Sequence, residues 1–147
     1  MTDTLRELLT EYDNSQYATQ NGTEMHNKMR ALRVVDGELI GDDEIVQNIK
    51  NRPEIARFFV PNSRVEVPVA AIINGCFTSR RIDRMVVDDE NRVIHIVDYK
   101  TDVNKDVFHQ KYIAQLREYI TIVKKIYPKY SVVGHILWLH DWTLEKL

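Results

Sequence analysis

Apolar positions follow helical spacing at first, then strand spacing, then helical spacing again along this 147-residue chain. Leu5, Leu8 and Leu9, followed by Asp13-Asn14-Ser15-Gln16, predict a short N-terminal helix or linker over residues 1–20. The main domain, residues 21–147, opens on Asn21-Gly22-Thr23, a predicted turn that offers Thr23 as N-cap to a helix from Glu24 to about Arg33. Asp36-Gly37 and Gly41 predict a loop. Beyond it Ile45, Val46 and Ile49 recur at helical spacing, and Pro53 opens a second short helix that turns Ile55, Ala56 and Phe59 inward. Both helices are expected to pack on a sheet.

The rhythm changes at Arg64. Val65, Val67 and Val69 alternate, Ile72 and Ile73 follow, and Asn74-Gly75 is a strong signal for a two-residue hairpin turn. A second strand is predicted over about 77–87 and a third over 92–99, joined by the polar turn Asp88-Asp89-Glu90-Asn91. Val93-Ile94-His95-Ile96-Val97 is nearly continuous apolar sequence, as in a strand covered on both faces. Helical spacing returns over about 107–127, with Ile113, Leu116, Ile120, Val123 and Tyr127 on one stripe and Pro128 as the stop. An apolar strand from Ser131 to Leu139 completes the order helix, three strands, helix, strand. That order predicts an α/β fold with a central mixed sheet flanked by helices, its last strand added through a helical crossover.

Composition narrows this only a little. A hydrophobic fraction of 44% with 29% charged residues is that of an ordinary folded domain. No apolar run approaches the roughly 20 residues that span a bilayer, and the first residues lack the order of a signal peptide, so a cytoplasmic setting without membrane contact is expected. The single Cys76 excludes an internal disulfide and is expected to be a small buried hydrophobe. A formal charge of −2 argues against tight unaided DNA binding, which draws on a basic surplus. Two basic groups, Arg80, Arg81 and Arg84, and Lys124, Lys125 and Lys129, are compatible with either a solvated face or a local contact with phosphate.

The candidate chemistry lies at Asp98-Tyr99-Lys100. Residues two apart on a strand share a face, so Asp98 and Lys100 project together while Tyr99 turns away. Asp83, in Arg80-Arg81-Ile82-Asp83-Arg84, is brought towards Asp98 by the intervening turn, so that two carboxylates and an ammonium converge. Charges at the end of a buried strand are costly unless paired or bound to metal. An ordinary Asp98–Lys100 ion pair, or a salt bridge from Asp83 to Arg81 or Arg84, would also account for them. Gln115 and Tyr119, four apart on the long helix, are neighbours on a face rotated away from the apolar stripe, where they could meet phosphate and base. His26, in the first turn of its helix, would add an imidazole nitrogen to an oxygen-rich site. Glu66 is compatible with an edge-strand surface residue or an acid reaching the same site. His135, inside an apolar strand, reads as a core residue, and Trp138 and Trp142 as the cap of the core. No glycine-rich phosphate loop or serine nucleophile elbow appears, which disfavours ATP hydrolysis and acyl transfer.

Taken together these residues resemble the PD-(D/E)xK nuclease superfamily, and within it the C-terminal nuclease domain of AddA/RecB-type helicase-nucleases. The resemblance runs from about residue 22 to 140. It rests on Gly22-Thr23-Glu24-Met25-His26, Glu66-Val67-Pro68, Ile82-Asp83-Arg84, Ile96-Val97-Asp98-Tyr99-Lys100-Thr101 and Gln115-Leu116-Arg117-Glu118-Tyr119, in the family's order. Arg80 stands where the family often has glycine, and Ile82 replaces the proline of the superfamily's name. The resemblance implies a restriction-endonuclease-like fold and a Mg²⁺- or Mn²⁺-dependent deoxyribonuclease of exonuclease type, acting in double-strand break repair and recombination. By it, His26, Asp83, Asp98 and the Tyr99 carbonyl oxygen would bind the metal, and Asp83, Asp98 and Lys100 would be catalytic. Gln115 and Tyr119 would contact substrate, with Glu66 and Arg84 as accessory residues. The implied partners are DNA, chiefly single-stranded, and a helicase motor or an AddB/RecC-like subunit. A stand-alone nuclease of the same fold and a non-catalytic DNA-binding module are the alternatives.

Overall fold

In the computed structural model of the protein, residues 22–147 are described, so the helix or linker expected over residues 1–20 lies outside them. Helix α1 (22–30) is already established at Gly22, which corrects the assignment of Thr23 as its N-cap and of Arg33 as its end. A Cβ on Gly22 would stand only 3.2 Å from Thr101 Oγ1. That close approach to the residue that follows Lys100, a contact between residues far apart in sequence, lies where turn propensity alone would stop a helix. The chain then makes a hairpin where the glycines predict a loop. Strands β1 (Arg33–Val35) and β2 (Glu38–Ile40) pair antiparallel around Asp36 and Gly37, both at positive φ. This is the backbone that a two-residue hairpin turn demands and that Asp-Gly supplies.

Helices α2 (Asp43–Lys50) and α3 (Pro53–Ala56) follow as expected, α2 capped by the Asp42 carboxylate accepting from Ile45 N–H at 3.2 Å. Strands β3 (Arg64–Ile73), β4 (Cys76–Asp88) and β5 (Val93–Lys100) form an antiparallel meander. Helix α4 (Lys105–Ile126) crosses over to β6 (Ser131–Trp138), which lies parallel to β5. A further strand, β7 (Thr143–Lys146), pairs with β6 and completes a five-stranded sheet in the order β3-β4-β5-β6-β7. Sequence patterning missed β7 because Thr-Leu-Glu-Lys is short and polar, as edge strands usually are.

The fold is thus α/β, a mixed sheet with helices on both faces. On one face Ile94, Ile96, Ile136 and Trp138 pack with Leu116, Tyr119, Ile122 and Val123 of α4. On the other Val97, Tyr99, Leu137 and Leu139 pack with Met29, Ile45, Ile49, Ile55 and Phe58. Strands β5 and β6 are therefore buried on both sides, which accounts for their unbroken apolar runs. Gly134 allows α4 to lie close on β6, since a Cβ there would fall 2.8 Å from Leu116 and Ile120. Two expectations are corrected. Cys76 is exposed, because it begins β4 at the hairpin tip, where neighbouring Phe77 and Ile72 are also exposed. Tyr119 is buried rather than rotated away, because the covered stripe of α4 is centred on Leu116, Tyr119 and Val123, with Ile113, Ile120 and Tyr127 at its margins.

His135 is fully buried on the face occupied by Phe58, and its Nε2 lies 3.1 Å from His95 Nδ1. Burial, reinforced by His95, pushes its imidazole down to about 4. An unfolded chain binds that proton near pH 6.5 and the folded one only near 4, so the contribution to stability falls as pH drops across that window. Between pH 7 and 5 this amounts to about 2 kcal/mol. Urea unfolding of His135→Leu at the two pH values is expected to show a pH dependence shallower by about that amount. A slope unchanged from the parent chain would contradict the assignment.

Candidate functional site

Along a regular strand, residues two apart share a face, yet Ile82 packs with the α4 layer while Arg84 meets Phe58, Phe59 and Tyr99 of the opposite layer. The phase changes at Asp83. In the β3–β4 register Val65 pairs with Arg84 and Val67 with Ile82, which sets Glu66 opposite Asp83. Glu66 has φ +51, a left-handed conformation that costs a non-glycine residue roughly 1–2 kcal/mol. This local break turns Asp83 to the α4 side. The β4–β5 register closes at Arg84–Val97, so one step further Asp83 stands opposite Asp98.

Backbone groups complete the junction. Asp83 Oδ2 accepts from Tyr99 N–H at 2.8 Å. The Lys100 carbonyl accepts from Leu139 N–H at 2.8 Å, on the β6 side. Successive peptide groups alternate sides, so the Tyr99 N–H and carbonyl oxygen both leave β5 on the β4 side, where Asp83 lies. Helix α1 supplies His26, whose Nε2 lies 3.7 Å from Asp83 Oδ2. Its Nδ1 donates to the Gly22 carbonyl at 2.8 Å, the arrangement that leaves Nε2 with the free lone pair. A neutral Nε2 and a carboxylate oxygen facing each other are two electron-pair donors, and they need a proton or a cation between them.

Lys100 is held from three sides. Its Nζ lies 3.0 Å from Asp98 Oδ2, donates to Gln115 Oε1 at 2.7 Å and sits 4.3 Å from the centre of the Tyr112 ring. Tyr112 in turn donates to Asp102. Tyr112 and Gln115 are three apart on α4 and face the same way. Sequence reasoning passed over Tyr112, although that spacing from Gln115 was a usable signal.

Electrostatics divide the two carboxyls. Burial, opposed by Lys100 and assisted by Asp83, pushes Asp98 up to about 7. Burial also acts to raise Asp83, but His26 and the Tyr99 N–H outweigh it and hold that carboxyl below its ordinary range. The Asp83 carboxylate raises the His26 imidazole against the opposing effect of burial. Among the described residues no group of three or more His, Cys, Asp or Glu side chains is drawn together as a ready-made metal-binding set. Asp98 is turned to Lys100 instead. The donors nonetheless suit a hard or borderline divalent cation: an oriented imidazole, two carboxylates and a backbone carbonyl at one strand junction.

No protein-family model and no curated protein matches the chain.

The remaining candidates are placed as follows. Gln115 meets Lys100. Tyr119 is a core residue beneath the site, with burial, then Asp98 and Asp83, pushing its phenol up to about 12. Glu66 pairs with Arg30 at 3.2 Å and Arg81 at 3.8 Å, and Arg80 lies against Glu118 at 2.6 Å. Asp83 therefore has neither Arg81 nor Arg84 as a salt-bridge partner, while the ordinary Asp98–Lys100 pair is present. A cleft of about 500 Å³ bounded by Arg57, Phe58, Asp88 and His95 lies at the β4–β5 turn and includes none of these residues. No helix of the described residues is long and apolar enough to cross a membrane.

The strain at Glu66 is testable because two terms oppose each other. Relief of the left-handed backbone favours glycine, whereas either replacement loses partly exposed ion pairs worth at most about 1 kcal/mol. Glu66→Gly is expected to be more stable than Glu66→Ala by about 1 kcal/mol in urea unfolding, reversing the usual preference for alanine in a strand. Equal stabilities would show that φ at this position relaxes freely.

Proposed function

We propose that the chain is a divalent-metal-dependent DNA nuclease domain of restriction-endonuclease-like fold that hydrolyses phosphodiesters in single strands delivered to it. The observation that carries this reading is the pair Asp83 and Asp98 standing opposite each other at the β4–β5 junction, with His26 facing Asp83 and Lys100, held by Gln115, beside Asp98. His26, Asp83, Asp98 and the Tyr99 carbonyl would hold Mg²⁺ or Mn²⁺. When bound, the cation would acidify a coordinated water and offset charge on the scissile phosphate.

The chain's own groups do the rest. The Gly22 carbonyl keeps His26 in the tautomer that presents Nε2, and the Tyr99 N–H keeps Asp83 ionised and aimed. Asp98, engaged in the site, frees the Lys100 ammonium, which Gln115 and Tyr112 still orient. Lys100 then neutralises charge on the phosphoryl oxygens as water attacks phosphorus, the P–O ester bond breaks and the leaving alkoxide takes up a proton. Arg80, Arg81 and Lys105 are committed to carboxylates. With a formal charge of −2 the chain has no basic surplus for capturing duplex DNA unaided, which supports delivery by a helicase motor or partner subunit.

Cleavage of end-labelled single-stranded DNA with Mn²⁺, Mg²⁺ or EDTA tests the reading. Lys100→Ala is expected to lower the rate by at least about a hundredfold while retaining Mn²⁺ binding. Asp98→Ala is expected to lose both. Full cleavage by Lys100→Ala would reject the mechanism; Mn²⁺ binding without cleavage by the parent chain would point to a missing partner.

The raised Asp98 and His26 predict a direction for metal affinity. Both must give up a proton to act as ligands, so Mn²⁺ binding is expected to tighten from pH 6 to pH 8, by up to about tenfold per unit for each proton released. Titrations of the parent chain at the two pH values, with proton release followed in weak buffer, check this. An affinity that does not change with pH would exclude Asp98 from the ligand set.

A further inference from the structure

Arg84 directly follows Asp83 in sequence but projects to the opposite face of the sheet, where it is only 2% exposed. Its partners are all neutral. Nε donates to the Tyr99 hydroxyl at 2.9 Å, one terminal nitrogen reaches Ser63 Oγ at 2.5 Å and the Phe58 carbonyl at 3.5 Å, and the guanidinium lies 4.1 Å from the Phe59 ring centre. Among the described residues no carboxylate pairs with it. A buried cation without a counter-ion is expensive, and an apolar side chain of similar volume would serve packing alone better. Its geometry offers a reason for its presence. Tyr99 touches both systems: its hydroxyl meets Arg84 on one face, while its backbone N–H holds Asp83 at the junction.

We propose that Arg84 is a positioning residue that acts through Tyr99: by fixing the phenol it fixes the Tyr99 peptide groups, and with them the Asp83 carboxylate and the backbone carbonyl on the same edge. The inference rests on the metal-dependent nuclease reading for its consequence in activity, but not for its mechanical content. Arg84 anchors β4 and β5 to the segment between α3 and β3 at one point, so both strands keep their relative height where Asp83 and Asp98 face each other. Rotation about the Tyr99 backbone would otherwise move the Asp83 hydrogen bond and the carbonyl together.

Tyr99→Phe keeps the ring and removes only the acceptor; Arg84→Met removes the donor. In metal-free protein, hydrogen exchange at the residue 99 amide is expected to accelerate about tenfold or more in Tyr99→Phe, with amides of β6 unchanged. The Mn²⁺ concentration for half-maximal binding is expected to rise three- to tenfold in both variants. Cleavage should shift to higher Mn²⁺ by the same factor. Unaltered exchange and unaltered Mn²⁺ affinity in Tyr99→Phe would overturn the positioning role, whatever the parent chain cleaves. If Arg84→Met fails to fold, Tyr99→Phe alone decides. A parent chain that neither binds Mn²⁺ nor cuts DNA would reject the nuclease reading, while the exchange experiment would still judge the anchor.

Discussion

Asp83 and Asp98 stand opposite each other where β4 and β5 part, and two carboxylates in such a place repel unless a proton or a cation lies beside them. The surrounding structure is arranged about that repulsion. Lys100 leans on Asp98, the Tyr99 N–H and His26 serve Asp83, and Asp98 remains the carboxyl more ready to keep its proton. Neither aspartate is paired with arginine, although three arginines lie within three residues of Asp83 in sequence. Two are engaged by Glu118 and Glu66, and the third is turned through the sheet. The cations nearest in sequence are kept from neutralising the pair, which leaves its charge available to something else.

The sheet makes this possible because it is covered on both sides. The α4 layer delivers Gln115 and Tyr112 to Lys100, and the α1–α3 layer delivers His26 and receives Arg84. Between them, the left-handed Glu66 stands opposite the irregularity by which consecutive residues Ile82 and Asp83 of β4 both serve the α4 layer, while Arg84 serves the other. A regular strand would have sent Asp83 to the face away from Asp98.

Much of this was legible in the chain. The apolar runs of β5 and β6 and the Asn-Gly turn follow from local rules, and the alternation of Asp98 and Lys100 is a consequence of strand geometry alone. The β1–β2 hairpin was not read, because three-residue strands carry too little pattern to outweigh a loop composition. Tyr119 was misplaced because a long helix with apolar residues at both margins leaves the centre of its stripe undetermined until α4 is docked. Cys76 has the residue type of a core position, while its exposure depends on how far the hairpin projects. The phase change at Asp83 and the passage of Arg84 through the sheet had no signal in the sequence, since both depend on contacts between segments distant along the chain.

The meander β3–β4–β5 is closed by two short turns, so its pairings join residues near in sequence. Contacts of that kind form early, because little chain entropy is lost in closing small loops. His26 on α1 and Gln115 on α4 come from outside the meander. Within the meander alone Asp83 and Asp98 have only the Tyr99 N–H and Lys100 beside them, and His26 and Gln115 reach the site only through the docking of α1 and α4. The site is thus divided between neighbours in sequence and partners from distant segments, so its balance of charge depends on how firmly α1 and α4 are held against the sheet.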